Sequence, residues 1–191
     1  MKFVIMVKDS LILLIISAIL ILALSVANVG TKELINKSNL EAQMKAYAEV
    51  CPEYYSSEDI TADVAGASAG YNATIFGENP VLLCKDESGE IVGYIVHSSS
   101  KGFNSPLNLI VGFDKLSNIT GVRYANIPSE TPGLGMKTTE PSYLNLWLNH
   151  NLNSIGEVDT ISGATVTSTA FEQAMSLACL LASRAANMYG E

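Results

Sequence analysis

Basic residues are scarce in this 191-residue chain, which has 11 Lys and Arg against 19 Asp and Glu. Lys2 and Lys8 both precede Ser10, so the rest of the chain carries only nine of the basic residues and eighteen of the acidic ones. A protein that binds nucleic acid or an anionic lipid surface through charge needs a basic patch. The acidic balance therefore argues against a nucleic-acid partner.

Cysteine and histidine are also rare, at three and two residues. Cys51, Cys84 and Cys179 are widely spaced, and no Cys or His pair has the spacing of a zinc or iron–sulfur site. We therefore expect no metal on this chain and three small buried cysteines, while a disulfide between two of them stays open. His97 and His150 stand alone in sequence, and each is expected to have a structural or surface role. No catalytic constellation is predicted.

Charged residues are absent from Ser10 to Thr31. A helix of this length spans roughly 30 Å, the thickness of a bilayer's hydrocarbon core. We therefore predict a transmembrane helix over residues 10–31, after a short cytoplasmic N-terminus of residues 1–9. Lys2 and Lys8 then place residues 32–191 on the extracytoplasmic side of the cell membrane. A cleaved signal peptide is the alternative, although the apolar run exceeds the usual length of about 7–15 residues.

The pattern after this span predicts helices at both ends of a domain and strands in its middle. Helices are predicted for Lys32–Val50, for Pro141–Leu152 and for Thr169–Tyr189, the last with capping-box spacing between Thr169 and Glu172. Strands in two hairpins are predicted for Val81–Cys84, Ile91–His97, Leu107–Phe113 and Ile119–Ala125. Only weak structure is expected from Tyr54 to Tyr71. This order predicts an α+β domain with a central, mostly antiparallel sheet flanked by helices.

Two short motifs are the candidate sites. The first, Glu130-Thr131-Pro132-Gly133-Leu134-Gly135, is a turn whose glycines let the backbone approach a flat ligand closely. It lacks the glycine spacing of a dinucleotide fingerprint or a P-loop. The second, Asp159-Thr160-Ile161-Ser162-Gly163-Ala164-Thr165, precedes the last helix, where amides and the helix dipole favour a phosphate. On spacing alone, a plain turn and a plain helix start are the favoured interpretations.

Together, in this order behind an apolar span, the motifs resemble the extracytoplasmic FMN-binding domain family. This family supplies subunits to the Rnf-type ferredoxin:NAD oxidoreductases and to the sodium-pumping NADH:quinone oxidoreductases. Its flavinylation signature is Asp, a variable pair, Ser or Thr, and then Gly-Ala-Thr, which is matched by Asp159, Ser162, Gly163, Ala164 and Thr165. The Glu130–Gly135 loop matches as well. Family members often have His two positions before the loop's Glu, where this chain has Pro128.

The resemblance implies a covalent cofactor. Thr165 would carry FMN through a phosphoester, installed by a separate flavin transferase with FAD as the donor. Asp159 and Ser162 would be read by that enzyme or shape the turn, and the Glu130–Gly135 loop would lie against the isoalloxazine. Thr167, also a hydroxyl, is the nearest alternative acceptor.

The resemblance also implies a role. The chain is expected to be a membrane-anchored electron-transfer subunit, and not a complete enzyme alone. Its partners would be the other membrane subunits of an Rnf-type complex that couples ferredoxin:NAD electron transfer to Na⁺ or H⁺ translocation; the compact length favours this type over its longer Nqr counterpart. The alternatives are an FMN relay of another extracytoplasmic reductase or Nqr-type complex, and a flavin-free anchored binding module.

Overall fold

The computed structural model describes residues 42–66 and 71–190, together with six residues of the apolar segment: Leu14, Ser17, Ala18, Leu20, Ile21 and Ser25. Those six residues are helical and exposed. The rest of the predicted span and residues 1–9 lie outside the described residues. In the described part of the chain, no helix is both long and apolar enough to cross a membrane. The chain divides into two units, Met1–Met44 and Lys45–Glu191, and the second contains the sheet and both motifs.

Across the described ranges, the second unit is a six-stranded antiparallel sheet with helices on both faces. The strands are β1 Ser56–Asp59, β2 Ala73–Ile75, β3 Val81–Lys85, β4 Ile91–Lys101, β5 Pro106–Asp114 and β6 Ile119–Tyr124. The helices are α1 (residues 42–50), α2 Thr61–Val64, α3 Pro141–Leu144 and α4 Thr165–Tyr189, with 3-10 turns at Gly135–Thr139, Asn145–Trp147 and Ile155–Glu157. The sheet order is β1-β3-β4-β5-β6, and β2 also pairs with β4. The predicted antiparallel sheet with flanking helices is confirmed.

Strand β4 organises both faces of the sheet because its side chains alternate between them. Tyr94 and Val96 are fully buried in the larger core with α4, whose Ala174 is also fully buried. Ile95 faces the opposite way, into a smaller core that contains Tyr47 of α1. Both faces of the sheet are therefore covered, and small residues on α4 let that helix lie close to the strands.

The four predicted strands are present, but the structure contains elements that the sequence pattern did not predict. Strand β4 extends to Lys101 through three serines, and β2 pairs with that extension. The segment expected to be weakly structured contains β1 and α2. Every residue of β1 is exposed and polar, so it has no alternating apolar pattern. Its partner β3 supplies the backbone hydrogen bonds that define it.

Two helix predictions were wrong in their bounds. The helix expected over Pro141–Leu152 is a single turn, α3, followed by the 3-10 turn that ends at Trp147. Leu148 is extended and Asn149 has a φ of 65°, so the helix stops there. Helix α4 begins four residues earlier than predicted, and its N-cap is Ala164, without a side-chain cap. The Thr169–Glu172 capping box is therefore not a helix start.

The C-terminal end of α1 lies against the sheet where two strands carry glycine. A Cβ at Gly112 would lie 2.0 Å from the carbonyl oxygen of Val50, and one at Gly121 would lie 2.6 Å from its Cα. The Thr120 hydroxyl donates to the same carbonyl at 2.6 Å. Backbone-to-backbone packing of this kind is available only to glycine. The position of α1 on β5 and β6 is therefore specified by sequence.

His97 lies at the edge of the smaller core, where its ring stacks on Phe76 and contacts Tyr47. It is 6% exposed, and burial lowers its pKa from 6.5 to about 4, against a smaller opposing effect of a Phe76 backbone hydrogen bond. The imidazole ring of His97 is thus neutral in the folded protein at neutral pH. This agrees with the expected structural role.

We predict an acid-sensitive stability that depends on His97. Its folded pKa lies below its unfolded pKa, so the unfolded chain binds a proton first and stability falls as the pH drops below 6.5. The loss amounts to about 2 kcal/mol at pH 5. Urea unfolding at pH 7.5 and pH 5 measures it, with His97→Phe as the non-titrating comparison. An equal loss in both proteins would contradict the assignment to His97.

Candidate functional site

The two sequence motifs meet in space at the start of α4. Gly163 has a φ of +79°, and a Cβ there would lie 3.3 Å from Cδ2 of Leu134 in the other motif. Thr167, in the first turn of α4, donates a hydrogen bond to Oε2 of Glu130 at 2.8 Å. The loop motif thus lies close to Gly163 of the second motif and is tied to the first turn of α4 by a buried hydrogen bond.

Glu130 holds three segments of the chain together. Its Oε1 accepts hydrogen bonds from the backbone amides of Asn104 and Ser105, both at 3.0 Å, while Oε2 accepts from Thr167. We call this set the Glu130 clamp. The residue is only 5% exposed. Burial raises its pKa, but the hydrogen bonds from Thr167 and from the amides of residues 103–105 outweigh burial, and the net pKa lies below its usual 4.5.

Two glycines make room for the clamp. A Cβ at Gly135 would lie 2.8 Å from Thr167 Oγ1 and 3.0 Å from Glu130 Oε2. A Cβ at Gly102 would lie 2.7 Å from Glu130 Oε1 and 2.8 Å from a backbone carbonyl. Both distances to the carboxylate are shorter than ordinary van der Waals contact. The second glycine of the loop motif is therefore needed for the fit of the carboxylate.

A cavity of about 450 Å³ opens where the motifs meet. We call it the motif cavity; its lining is Phe103, Thr131, Leu134, Gly135, Gly163, Ala164, Thr165, Val166 and Thr167. Three of its large apolar side chains are exposed, Phe103 at 64%, Val166 at 55% and Leu134 at 39%. Ligand sites are typically concave and mostly apolar with a few placed polar groups, and this cavity is of that kind. Its rim presents exposed apolar surface at the junction of the two motifs.

A second cavity, of about 520 Å³, adjoins the first across the start of α4. Its lining is Asn72, Ser100, Lys101, Thr165, Val166, Thr169, Ala170 and Gln173, so we call it the lysine cavity. Thr165 and Val166 line both cavities. The Thr165 side chain therefore stands between an apolar cavity and one that contains a cationic side chain.

The two candidate hydroxyls differ in exposure. Thr165 is the first residue of α4 and is exposed, whereas Thr167 is 3% exposed and its hydroxyl is engaged by Glu130. The backbone N–H groups of a first helical turn have no intrahelical partner, and the positive end of the helix dipole lies there. A phosphate on the Thr165 oxygen would lie beside both. Of the two hydroxyls, that of Thr165 is exposed and that of Thr167 is buried and hydrogen-bonded.

The remaining predicted residues divide into two groups. Five of them line the motif cavity: Thr131, Leu134, Gly135, Gly163 and Ala164. Asp159, Ser162, Pro132 and Gly133 are exposed and do not line it. Exposure leaves Asp159 and Ser162 accessible to a second enzyme. Their roles stay predictions.

Sequence reasoning missed Lys101, Phe103 and the amides of Asn104 and Ser105. Lys101 ends β4, and the other three lie in the turn between β4 and β5, which the sequence pattern did not mark as a site. Gly102 was the available signal, since a glycine just after a serine-rich strand indicates close approach of another group. The group that approaches Gly102 is Glu130, which lies far along the chain, so the glycine alone could not identify it.

Several known proteins are similar to the part of the chain that contains this site. Residues 102–179 match the FMN-binding domain family, a range that includes the Glu130 clamp and both motifs. The G subunit of the ion-translocating oxidoreductase complex of Methanosarcina acetivorans is 29% identical over 173 residues, 85% of this chain and 87% of the relative. The G subunit of the Na⁺-translocating ferredoxin:NAD⁺ oxidoreductase complex of Acetobacterium woodii is 28% identical over 176 residues, 85% and 84% of the two chains. A crystal structure of NqrC from Shewanella oneidensis matches with 30% identity and a TM-score of 0.44, over 50% of this chain and 52% of that one.

The matched range, residues 102–179, is similar to FMN-binding domains, and it contains both motifs and the Glu130 clamp. Over 85% of its length the chain is similar to these two G subunits of ion-translocating oxidoreductase complexes, the kind of subunit to which the motif resemblance pointed.

Proposed function

We propose that this chain carries FMN on Thr165 and transfers electrons as the G-type subunit of a membrane-bound, ion-translocating ferredoxin:NAD oxidoreductase. The observation that carries the covalent assignment is the contrast between the exposed Thr165 and the buried, hydrogen-bonded Thr167. The bound isoalloxazine would supply the redox chemistry by accepting and donating electrons. It would not need a catalytic acid or base from this chain.

The protein's own residues would position the flavin. The first-turn amides of α4 would stabilise the phosphodiester on Thr165. Phe103, Leu134 and Val166 would cover the apolar part of the ring in the motif cavity. The Glu130 clamp would hold the loop and the helix start at a fixed separation. Because the ring itself would have no covalent bond, packing and hydrogen bonds would set its potential.

Loading would be a phosphoryl-group transfer from FAD, catalysed by a separate flavin transferase. The Thr165 oxygen would form a bond to the FMN phosphorus while the pyrophosphate bond of FAD breaks. AMP would leave, and the hydroxyl proton would be released. Thr165, Asp159 and Ser162 are all exposed within one seven-residue motif, as such an enzyme would require.

The proposal also places residues 10–31 in the membrane and the flavin domain on the extracytoplasmic side. The absence of charge from Ser10 to Thr31 and the two preceding lysines support this topology. The six described residues of the segment are helical and exposed, which is compatible with a lipid-facing helix. The other subunits of the complex would then be its partners in the membrane.

Mass spectrometry of the protein extracted from washed membranes, after production with its transferase, tests the proposal. Trypsin leaves Thr165 and Thr167 together on residues 138–184, so fragmentation between them is needed to locate the group. We expect the mass of an FMN phosphoester on Thr165. An unmodified peptide from transferase-containing cells, or FMN on Thr167, would contradict the assignment. Recovery of the protein only in the soluble fraction would contradict the anchor.

A further inference from the structure

The smaller core contains two of the three cysteines side by side. Cys51 follows the last residue of α1, and Cys84 lies on β3 beneath it. They are 1% and 0% exposed, and both are free thiols. Cys179 lies in the larger core on the other side of the sheet, with the fully buried face of α4. The fold therefore pairs Cys51 with Cys84 and sets Cys179 apart.

Both thiols belong to the same small buried cluster. The neighbouring Cys84 thiol lowers the pKa of Cys51, although burial opposes it, while the Cys51 thiol and burial both raise the pKa of Cys84. Burial alone raises the pKa of Cys179 to about 12. Of the three thiols, only that of Cys51 has a lowered pKa in the folded domain.

The surrounding backbone fixes the two cysteines relative to one another. Four residues after Cys51, the amide of Tyr55 donates to the carbonyl of Lys85 at 3.0 Å, next to Cys84. Ser57 pairs directly with Cys84 in the sheet. On the other side of Cys51, the Val50 carbonyl accepts the Thr120 hydroxyl at 2.6 Å. Both cysteines are therefore held on segments that are hydrogen-bonded into the same sheet.

We propose that Cys51 and Cys84 form a disulfide in the mature protein, which fastens the end of α1 to β3. This inference rests on the extracytoplasmic placement of the domain proposed above, because disulfides persist in oxidising compartments. A dithiol oxidoreductase in its disulfide form would be the oxidant. The bond would secure α1, which follows the predicted membrane span in the chain.

The disulfide would form by thiol–disulfide exchange in two steps. The Cys51 thiolate attacks a sulfur of the oxidant's disulfide, forming a mixed disulfide and releasing one thiolate of the oxidant. The Cys84 thiolate then attacks the Cys51 sulfur, forming the Cys51–Cys84 bond and releasing the oxidant's second thiolate. This chain loses two electrons and two protons, and the oxidant is reduced to its dithiol. Since both sulfurs are buried in the folded domain, the exchange would precede final docking of α1.

Peptide mapping of the full chain from membranes, quenched with iodoacetamide without reductant, tests the inference. Trypsin leaves both cysteines on residues 46–85, and cleavage at the intervening glutamates with a Glu-specific protease separates them. We expect a peptide pair joined by a disulfide, two hydrogen masses below the two free peptides, and an alkylated Cys179 on its own peptide. Alkylation of both Cys51 and Cys84 under denaturing, non-reducing conditions would overturn the proposal.

Thermal unfolding gives an independent readout. Reduction is expected to lower the Tm of the wild type by about 5–10 °C. Cys179→Ala, the matched control, should retain this sensitivity to reductant, whereas Cys51→Ser should lose it. A wild type whose Tm is unchanged by reductant would contradict the proposal. The tryptic digest, sampled before the Glu-specific protease is added, reports FMN on residues 138–184, so a flavinylated protein with two free thiols would refute the disulfide while leaving the proposed function intact.

Discussion

Replacing Thr165 with alanine is expected to abolish covalent flavin while leaving the fold unchanged. Thr165 is exposed at the first position of α4, and its side chain is not the helix cap, since the N-cap is Ala164. Alanine is a good helix residue, so stability should change by less than about 1 kcal/mol. The flavin has no other attachment in the proposal, and loss of the hydroxyl should remove the whole signal. Ultraviolet-excited fluorescence of the band in a denaturing gel measures it.

Two matched variants separate the acceptor from its neighbours. Thr169→Ala removes another exposed hydroxyl that lines the lysine cavity, one turn further along α4. Thr167→Ser keeps a hydroxyl that can donate to Glu130. Both variants should retain flavin at the wild-type level. Persistent in-gel fluorescence in Thr165→Ala, or its loss in Thr169→Ala, would place the acceptor elsewhere.

The strands could be predicted because the residue pattern that favours each strand lies within a few consecutive positions. Ile91–His97 and Leu107–Phe113 are rich in β-branched and large apolar residues, and both lie within observed strands. The turn at Asp86 could also be predicted, since the Asp86 carboxylate accepts hydrogen bonds from the nearby backbone amides of Ser88 and Glu90. The serine-rich end of β4 was not, because its pairing with β2 and β5 overrides a weak intrinsic preference.

The start of α4 shows how a recognised sequence motif can be assigned the wrong structural role. Thr169 and Glu172 have the spacing of a capping box, but the chain is already helical at Thr165. The positive φ of Gly163 and the hydrogen bond from the Ala164 amide to the Ile161 carbonyl, at 3.0 Å, form the turn that precedes the helix. The earlier start places Thr165 in the first turn. The predicted acceptor is thereby better placed for a phosphate than the sequence alone indicated.

The Glu130 clamp could not be predicted because its parts are distant in sequence. The motif resemblance marked Glu130 as a residue against the flavin, whereas the structure has its carboxylate buried and facing protein donors. Thr167 was considered only as an alternative acceptor, and the structure gives it a bond to Glu130. Local sequence identifies such residues, but only the fold shows which groups they bond.

Glu130→Ala is expected to loosen both motifs together. It removes the acceptor of one hydroxyl and two amides, and unsatisfied donors of this kind cost about 1–3 kcal/mol each when buried. Because Asn104 is exposed and Ser105 only half-buried, water replaces part of the lost bonding. We expect a loss of about 3 kcal/mol in unfolding free energy, and a Tm lower by about 6–12 °C. In-gel flavin fluorescence should fall with it, because the loop and the helix start lose their fixed separation.

The Glu130→Gln variant separates the contribution of the clamp's hydrogen-bond geometry to stability from the contribution of its charge. The amide oxygen can accept from Asn104 and Ser105, and the amide nitrogen can donate to the Thr167 hydroxyl, so stability at pH 7.5 should fall by only about 1 kcal/mol. The folded pKa of Glu130 lies below 4.5, so ionisation stabilises the wild type above that pH, and the contribution is lost as the pH falls through the folded pKa. Glutamine should remove this acid-dependent part, measured in a His97→Phe background so that His97 does not contribute. If Glu130→Ala were as stable and as fluorescent as Glu130→Gln, the buried carboxylate would have no part in holding the two motifs together.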